Sequence, residues 1–288
     1  PESGSPVLNA LHKGLGDQGF VEGRNFRLDY RLSEDPGRLP VIAAEFVAAR
    51  VAVILATGGV ATAIAAKHAT STIPIVFVNG TDPVKIGLVR SLARPGENIT
   101  GVNMLLHAAA AKQLQLLREL VPGMKRVVFL FDSKFPGADT DTKEMSAAAH
   151  KLGLELHLAT ARTEPELDDA FAAFAEQHVD SLVIGVNPFI SARAHKIVAH
   201  AAQRGLPAIS SYRHFVEKGG LISYGTDISA GVRQGGVYAG RILKGAKPAE
   251  LPVVQLDKIA LAINLTTTKV LGLTIPPTLF ARADEVIE

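Results

Sequence analysis

The chain has 288 residues, a formal net charge of +2 and 47% hydrophobic residues, which is enough apolar material for the cores of two ordinary domains. Near-neutral charge without a basic cluster argues against nucleic acid as a partner. Cysteine is absent, which excludes disulfides, a thiolate nucleophile and sulfur-bound metal.

Read in order, Pro1-Glu2-Ser3-Gly4-Ser5 has neither the basic start nor the apolar run of a secretion signal. A helix follows, with Val7, Leu8, Leu11 and Leu15 on one face. A doubly wound lobe normally starts with a central strand, so an apolar strand is expected just upstream of Pro1, or else the lobe lacks its first strand. Phe26, Leu28, Tyr30 and Leu32 alternate with polar residues, as in a half-exposed strand. A helix is expected over 37–50, a buried strand over 51–55 and a helix over 61–69. Ile75 to Val78 is a short apolar run that suits a buried parallel strand. Asp82-Pro83 reads as a helix start, with Asp as N-cap and Pro at the first helical position. Val84, Leu88, Val89 and Leu92 continue that helix to Arg94-Pro95-Gly96, and an extended piece runs from Asn98 to Val102.

The β-α alternation then restarts. Helices are expected at 109–120, 138–152, 164–177 and 192–204, and strands at 126–131, 154–158, 182–186 and 207–210. A helix over 227–243 and a last strand over 253–264 complete the pattern. Such repetition implies parallel sheets with helices on both faces. One sheet of this length would be unusually wide, so two lobes are expected, each with its own sheet. No segment is long and apolar enough to span a bilayer.

Several stretches carry a family resemblance. They are Thr81-Asp82-Pro83 with Gly87-Leu88-Val89, Ser91-Leu92-Ala93-Arg94-Pro95-Gly96 and Asn98-Ile99-Thr100-Gly101-Val102. To these add Gly19-Phe20-Val21-Glu22-Gly23-Arg24-Asn25, Arg38-Leu39-Pro40 and Glu217-Lys218-Gly219-Gly220-Leu221-Ile222-Ser223-Tyr224-Gly225. Ile242-Leu243-Lys244-Gly245 and Leu271-Gly272-Leu273-Thr274-Ile275-Pro276-Pro277 come near the end. Over nearly its whole length the chain resembles the ABC-transporter substrate-binding proteins of the group that includes tryptophan- and tyrosine-binding receptors. The resemblance implies a type I periplasmic-binding-protein fold: α/β, two doubly wound parallel-sheet lobes joined by a multi-crossing hinge. It implies an N-terminal lobe of 1–102 plus 226–252 and a C-terminal lobe of 103–225 plus 253–288, with crossings near Gly101-Val102-Asn103 and Tyr224-Gly225-Thr226. It also implies an extracytoplasmic receptor with an ABC permease as partner, acting as a monomer. Most of these motifs are turns and caps, which mark the family better than the ligand.

Candidate contacts follow from the loops at the carboxyl ends of strands, where open α/β sheets bind ligands. Thr57-Gly58-Gly59 opens a helix after a buried strand. Free amides there attract a carboxylate, and glycine allows close approach; a plain tight turn capped by Thr57 or Thr62 is the competing reading. Asn79 and Gly80 end the next strand, where Asn79 is the better contact and Asp82 is first a cap. In the second lobe the corresponding loops carry Asp132, Asn187 with Phe189, and Tyr212. The aromatics there could form apolar walls, or Phe189 could be core and Tyr212 could pack on its following helix. Tyr224, at a crossing, could face the cleft or pack the hinge. Asn79 or Asp132 would accept from an amino group.

Other patterns carry less. Gly14-Leu15-Gly16-Asp17-Gln18-Gly19 matches G-x-G-x-x-G, but a helix precedes it, so Gly19 reads as a helix stop. His195 and His200 do not share a helix face. Asp139-Thr140-Asp141 resembles a calcium loop, but Lys143 occupies an oxygen position. No metal, cofactor or catalytic constellation is indicated. The reading is a receptor that closes on a small carboxylate-bearing solute, aromatic or amino-acid-like, in its interlobe cleft. The alternatives are an enzyme on the same scaffold and an effector-sensing domain of a transcription regulator.

Overall fold

A computed structural model describes residues 6–33, 35–104, 109–135, 138–256 and 259–288. They fall into two compact units, one drawn from within Pro1–Leu105 and Asp227–Asp257, the other from within Leu106–Thr226 and Lys258–Glu288. In the first unit the chain forms α1 (Pro6–Gly16), α2 (Leu39–Ala48), β1 (Ile54–Ala56), α3 (Val60–Ala69), β2 (Ile75–Asn79) and β3 (Ile99–Asn103). The second unit follows with α4 (Ala110–Leu120), β4 (Arg126–Phe131), α5 (Ala138–Lys151), β5 (Glu155–Thr160), α6 (Glu164–Glu176) and β6 (Ser181–Ile184). It continues with α7 (Pro188–Ala192), α8 (Ala194–Gln203), β7 (Ala208–Ser210), α9 (Arg213–Glu217) and β8 (Ile222–Thr226). The chain returns to the first unit for α10 (Ile228–Leu243) and β9 (Val254–Gln255). It ends in the second with β10 (Ile259–Asn264), α11 (Leu265–Val270), α12 (Pro277–Phe280) and β11 (Glu285–Ile287).

The first sheet has the order β1-β2-β3-β9, parallel throughout. All five residues of β2 are buried, because helices cover both its faces. Ile75 and Phe77 pack with Ala63 and Ala66 of α3. Val78 points the other way, towards Gly231 and Gly235 of α10. Phe77 pairs with Gly101 of β3, and a Cβ on Gly101 would lie 2.2 Å from the Phe77 carbonyl oxygen. Glycine is required there because the Phe77 ring lies across its neighbour strand.

The second sheet has the order β11-β10-β8-β7-β6-β4-β5, parallel except where β8 meets β10. The period-two alternation of β4 divides its core in two. Val127 and Phe129 pack with Leu114 and Leu117 of α4 and Met145 of α5. Val128 and Leu130 pack with Leu167 and Phe171 of α6, Ile197 of α8 and Phe215 of α9. Helices on both faces of parallel strands are the α/β class that the sequence pattern implies.

Three expectations are corrected. The alternating segment Phe26–Leu32 forms no strand; it contributes one isolated bridge, Glu22 with Phe26. Alternation supplies a two-faced strand, but a ladder also needs a partner, and none pairs with it among the described residues. The helix expected from Pro83 to Arg94 is instead a short turn. Gly87 there takes φ +70°, and the Leu88 amide bonds the Pro83 carbonyl, five residues back, at 2.8 Å. The left-handed glycine diverts the chain before a second helical turn can form. Leu88 and Val89 are buried all the same, so their apolar spacing records core packing. Finally, the last strand expected over 253–264 is two strands: β9 joins the first sheet and β10 the second.

Candidate functional site

In the first unit, α3 leaves β1 through Thr57-Gly58-Gly59. Thr57 and Gly58 are exposed. Gly59 is the N-cap of α3, with φ +93° and no side chain bonding the amides of the first turn. Thr62 does not act as the cap: its hydroxyl donates to the Gly59 carbonyl at 2.7 Å. The amino end of α3, with its positive dipole, is therefore without a side-chain cap.

Asn79 ends β2 at the same carboxyl edge. Strand alternation puts it on the side of Ile75 and Phe77, the α3 side. Its side chain is 1% exposed, and neither Oδ1 nor Nδ2 has a hydrogen-bond partner. Its main chain is satisfied, since the Met104 amide donates to its carbonyl at 2.8 Å. An orphaned, buried carboxamide is costly, so this one calls for an explanation, and a binding edge supplies it. Half-buried Gly80 follows. Asp82 is a cap, as read: its Oδ1 accepts from the amides of Val84 at 2.9 Å and Lys85 at 3.2 Å.

In the second unit, the carboxyl-edge loops are tied down by their own polar residues. Half-buried Asp132 accepts from the Lys134 amide at 2.9 Å. Asn187 is 2% exposed and caps α7, its Oδ1 accepting from the Ile190 amide at 2.7 Å. Its Nδ2 is buried without a hydrogen-bond partner. Phe189 packs against the core beside α6 and α8, with the Arg193 guanidinium 4.7 Å from its ring centre. Tyr212 is buried, and burial first, then the charge of Asp141, raises its phenol pKa above the ordinary value. Its ring is 5.3 Å from that of His214, which faces Ser191 of α7 with Nε2 3.2 Å from both the hydroxyl and the carbonyl oxygen. Burial lowers the His214 pKa. Half-buried Tyr224 packs on the α4–α5 side of the core.

A small cavity opens at this edge, with Gln113, Phe129, Asp141, Met145 and Ser211 among its lining. It takes in Ser211, the residue before Tyr212, but not Asp132, Asn187, Phe189 or Tyr212 themselves. Of its two helix-borne polar residues, Gln113 was not read from the sequence, and Asp141 entered only in the calcium-loop pattern that Lys143 sets aside. Gln113 left a signal: it falls on the apolar face of α4 beside Ala109, Leu116 and Leu117, where a buried polar group needs a partner.

The family model for ABC transporter substrate binding proteins matches residues 5–287. The chain belongs to that family. A curated relative, a tyrosine-binding protein of Clostridioides difficile (strain R20291), is 28% identical over 273 residues, covering 93% of this chain and 78% of the relative. A conserved domain protein of Vibrio cholerae has a solved structure matching with a TM-score of 0.90 at 30% identity, covering 98% of this chain and 94% of that one. An ABC domain from Streptococcus pneumoniae, solved in complex with L-Trp, matches with a TM-score of 0.87 at 27% identity, covering 98% and 96%. The fold that this chain shares with those two structures is α/β with parallel sheets.

Proposed function

We propose that the protein is the extracytoplasmic receptor of an ABC importer and delivers a small carboxylate-bearing solute, aromatic or amino-acid-like, to a membrane permease. Its role is binding, without a catalytic step. The observation that carries the ligand chemistry is Asn79, buried and unpartnered on the side of the sheet covered by α3, whose amino end has no side-chain cap. Amides and dipole at that end favour a carboxylate, and the Asn79 carboxamide offers a further donor. The tyrosine-binding relative and the L-Trp complex are consistent with such a solute. Among the described residues no helix is long and apolar enough to cross a membrane.

Thermal unfolding in the presence of L-tryptophan, L-tyrosine, benzoate and ribose tests this reading. A ligand that binds the native state at about a hundred times its Kd adds about 2.7 kcal/mol of stability. The expected result is a raised midpoint with an aromatic carboxylate-bearing compound and none with ribose. A shift with ribose alone would overturn the carboxylate assignment.

A further inference from the structure

We infer that Asn79-Gly80 is a modification site, where the chain converts its own asparagine into aspartate or isoaspartate and so lowers its affinity for solute. The chemistry stands on these two residues; its effect on binding rests on the receptor reading above.

Among the asparagines of the sequence only Asn79 precedes a glycine. The backbone nitrogen of the residue after an asparagine can attack its carboxamide, and a glycine there has no Cβ to obstruct the approach. The carboxamides also differ in how firmly they are held. Asn25 Oδ1 accepts from the Val21 amide at 2.7 Å, while its Nδ2 donates to the Gly19 carbonyl at 2.9 Å. Asn98 Nδ2 donates to the carbonyls of Thr70 at 3.2 Å and Ile73 at 2.6 Å. Asn264 Oδ1 accepts from the Thr267 amide at 2.8 Å, and its Nδ2 donates to the Val216 carbonyl at 3.3 Å. Asn187 precedes Pro188, whose nitrogen has no proton to lose. Asn79 has neither restraint: Oδ1 and Nδ2 are both without a hydrogen-bond partner, so its carboxamide turns without breaking a bond.

In the first step the Gly80 nitrogen gives its proton to hydroxide and bonds to Asn79 Cγ. The Cγ–Nδ2 bond breaks, and Nδ2 leaves as ammonia with a proton from water. Water then adds to either carbonyl carbon of the resulting succinimide. Opening on one side leaves aspartate; opening on the other leaves isoaspartate, with an extra methylene in the main chain. The Met104 amide holds the Asn79 carbonyl at 2.8 Å, and ring closure turns that peptide out of its extended geometry. The reaction therefore proceeds through openings of the carboxyl end of β2, where its pairing with β3 stops.

The product carries a negative charge at the solute edge. Ala56 of β1 is paired with Phe77 of β2, so the Thr57-Gly58-Gly59 turn leaves the sheet next to Asn79. The uncapped amino end of α3 attracts the new carboxylate as it would that of a solute. A carboxylate-bearing solute then meets a like charge.

Peptide mapping by mass spectrometry, on folded protein aged in mildly alkaline buffer, tests the chemistry. Acid and isoaspartate should form at Asn79 about tenfold or more faster than at Asn25, Asn98 or Asn264, and Gly80→Ala should slow the change by about tenfold. Asn79 surviving as long as Asn98, or reacting as fast in Gly80→Ala, overturns the inference. Titration calorimetry with L-tryptophan and L-tyrosine tests the effect. Asn79→Asp should bind about tenfold or more weakly than wild type. If that variant does not fold, judged by thermal unfolding, the aged protein separated by ion exchange replaces it. A folded acidic form with wild-type affinity overturns the effect on binding and leaves the receptor reading intact. A wild-type protein that binds neither amino acid overturns the aromatic receptor reading, while the mapping still decides the modification.

Discussion

The side chain of Gln113 donates to the hydroxyl of Ser211 across 98 residues of sequence, at 2.8 Å. Together with its bond to the Tyr224 carbonyl, this ties the first turns of α4 to the ends of β7 and β8. Gln113→Leu would keep the volume and remove both donors. The Ser211 hydroxyl and the Tyr224 carbonyl would lose those donors in a buried setting, at a cost of about 1–3 kcal/mol. Urea unfolding should show a lower midpoint with an unchanged slope. A midpoint equal to wild type would mean that water replaces the lost donors.

The first unit owes its compactness to helices in backbone contact. A Cβ on Gly14 of α1 would stand 2.0 Å from the Arg233 carbonyl oxygen of α10, and one on Gly236 would stand 2.7 Å from the Leu11 carbonyl oxygen. Gly14→Ala must therefore push the helices apart, costing about 1–3 kcal/mol. Gly16, two residues on, has open space around it, so Gly16→Ala should be neutral or mildly stabilising, by up to about 1 kcal/mol. Thermal unfolding of the pair gives the comparison. Equal midpoints for the two variants would contradict the close approach of α1 and α10.

His214 makes stability depend on pH. Burial lowers its folded pKa, with the Ser191 carbonyl contact and the Glu217 charge opposing and Lys218 adding to the shift. The unfolded chain has an ordinary histidine near pH 6.5. As pH falls through that value the unfolded state takes up the proton first, so stability is lost on acidification towards the lower folded pKa. His214→Gln should lose less stability than wild type between pH 7.5 and 5.5. The measurement is the thermal midpoint at both pH values, the other histidines being common to the two proteins. An equal fall in both would remove His214 from the account.

Much of the fold was legible because local and tertiary signals agree. Ile75 to Val78 is apolar at every position and is buried on both faces; Thr57-Gly58-Gly59 is a βα turn with glycine where φ is positive. The misreadings come from places where they diverge. Leu88 and Val89 have helical spacing, yet Gly87 breaks the helix and the core still takes both side chains. Phe26 to Leu32 alternates like a strand, but pairing is decided by a neighbour that periodicity does not reveal. At the candidate site, loop position singled out Asp132, whereas the carboxylate lining the cavity is Asp141, on the following helix. Which of two acids nine residues apart faces a cavity depends on helix phase relative to the sheet, and Gln113 finds its partner only through the folded chain.

The last prediction turns on Asn79. Its two side-chain polar atoms are buried and unpartnered, so in the ligand-free protein they were removed from water without compensation. Such a group costs about 1–3 kcal/mol relative to a satisfied one, and an apolar replacement of similar shape avoids that cost. Leucine has the branched shape of asparagine with methyl groups in place of its two polar atoms, and strand alternation puts it on the face of Ile75 and Phe77 in the core. Asn79→Leu should therefore stabilise the ligand-free protein by about 1–2 kcal/mol, or a few degrees in midpoint for a unit of this size. The same change removes a donor from the carboxyl edge beside the uncapped end of α3. Affinity for L-tryptophan or L-tyrosine, whichever the wild-type protein binds, should fall by about tenfold or more. Stability up with affinity down marks a group retained for binding at the expense of the fold. Stability down with affinity unchanged would show that Asn79 is a structural residue satisfied by ordered water, and would remove it from the site.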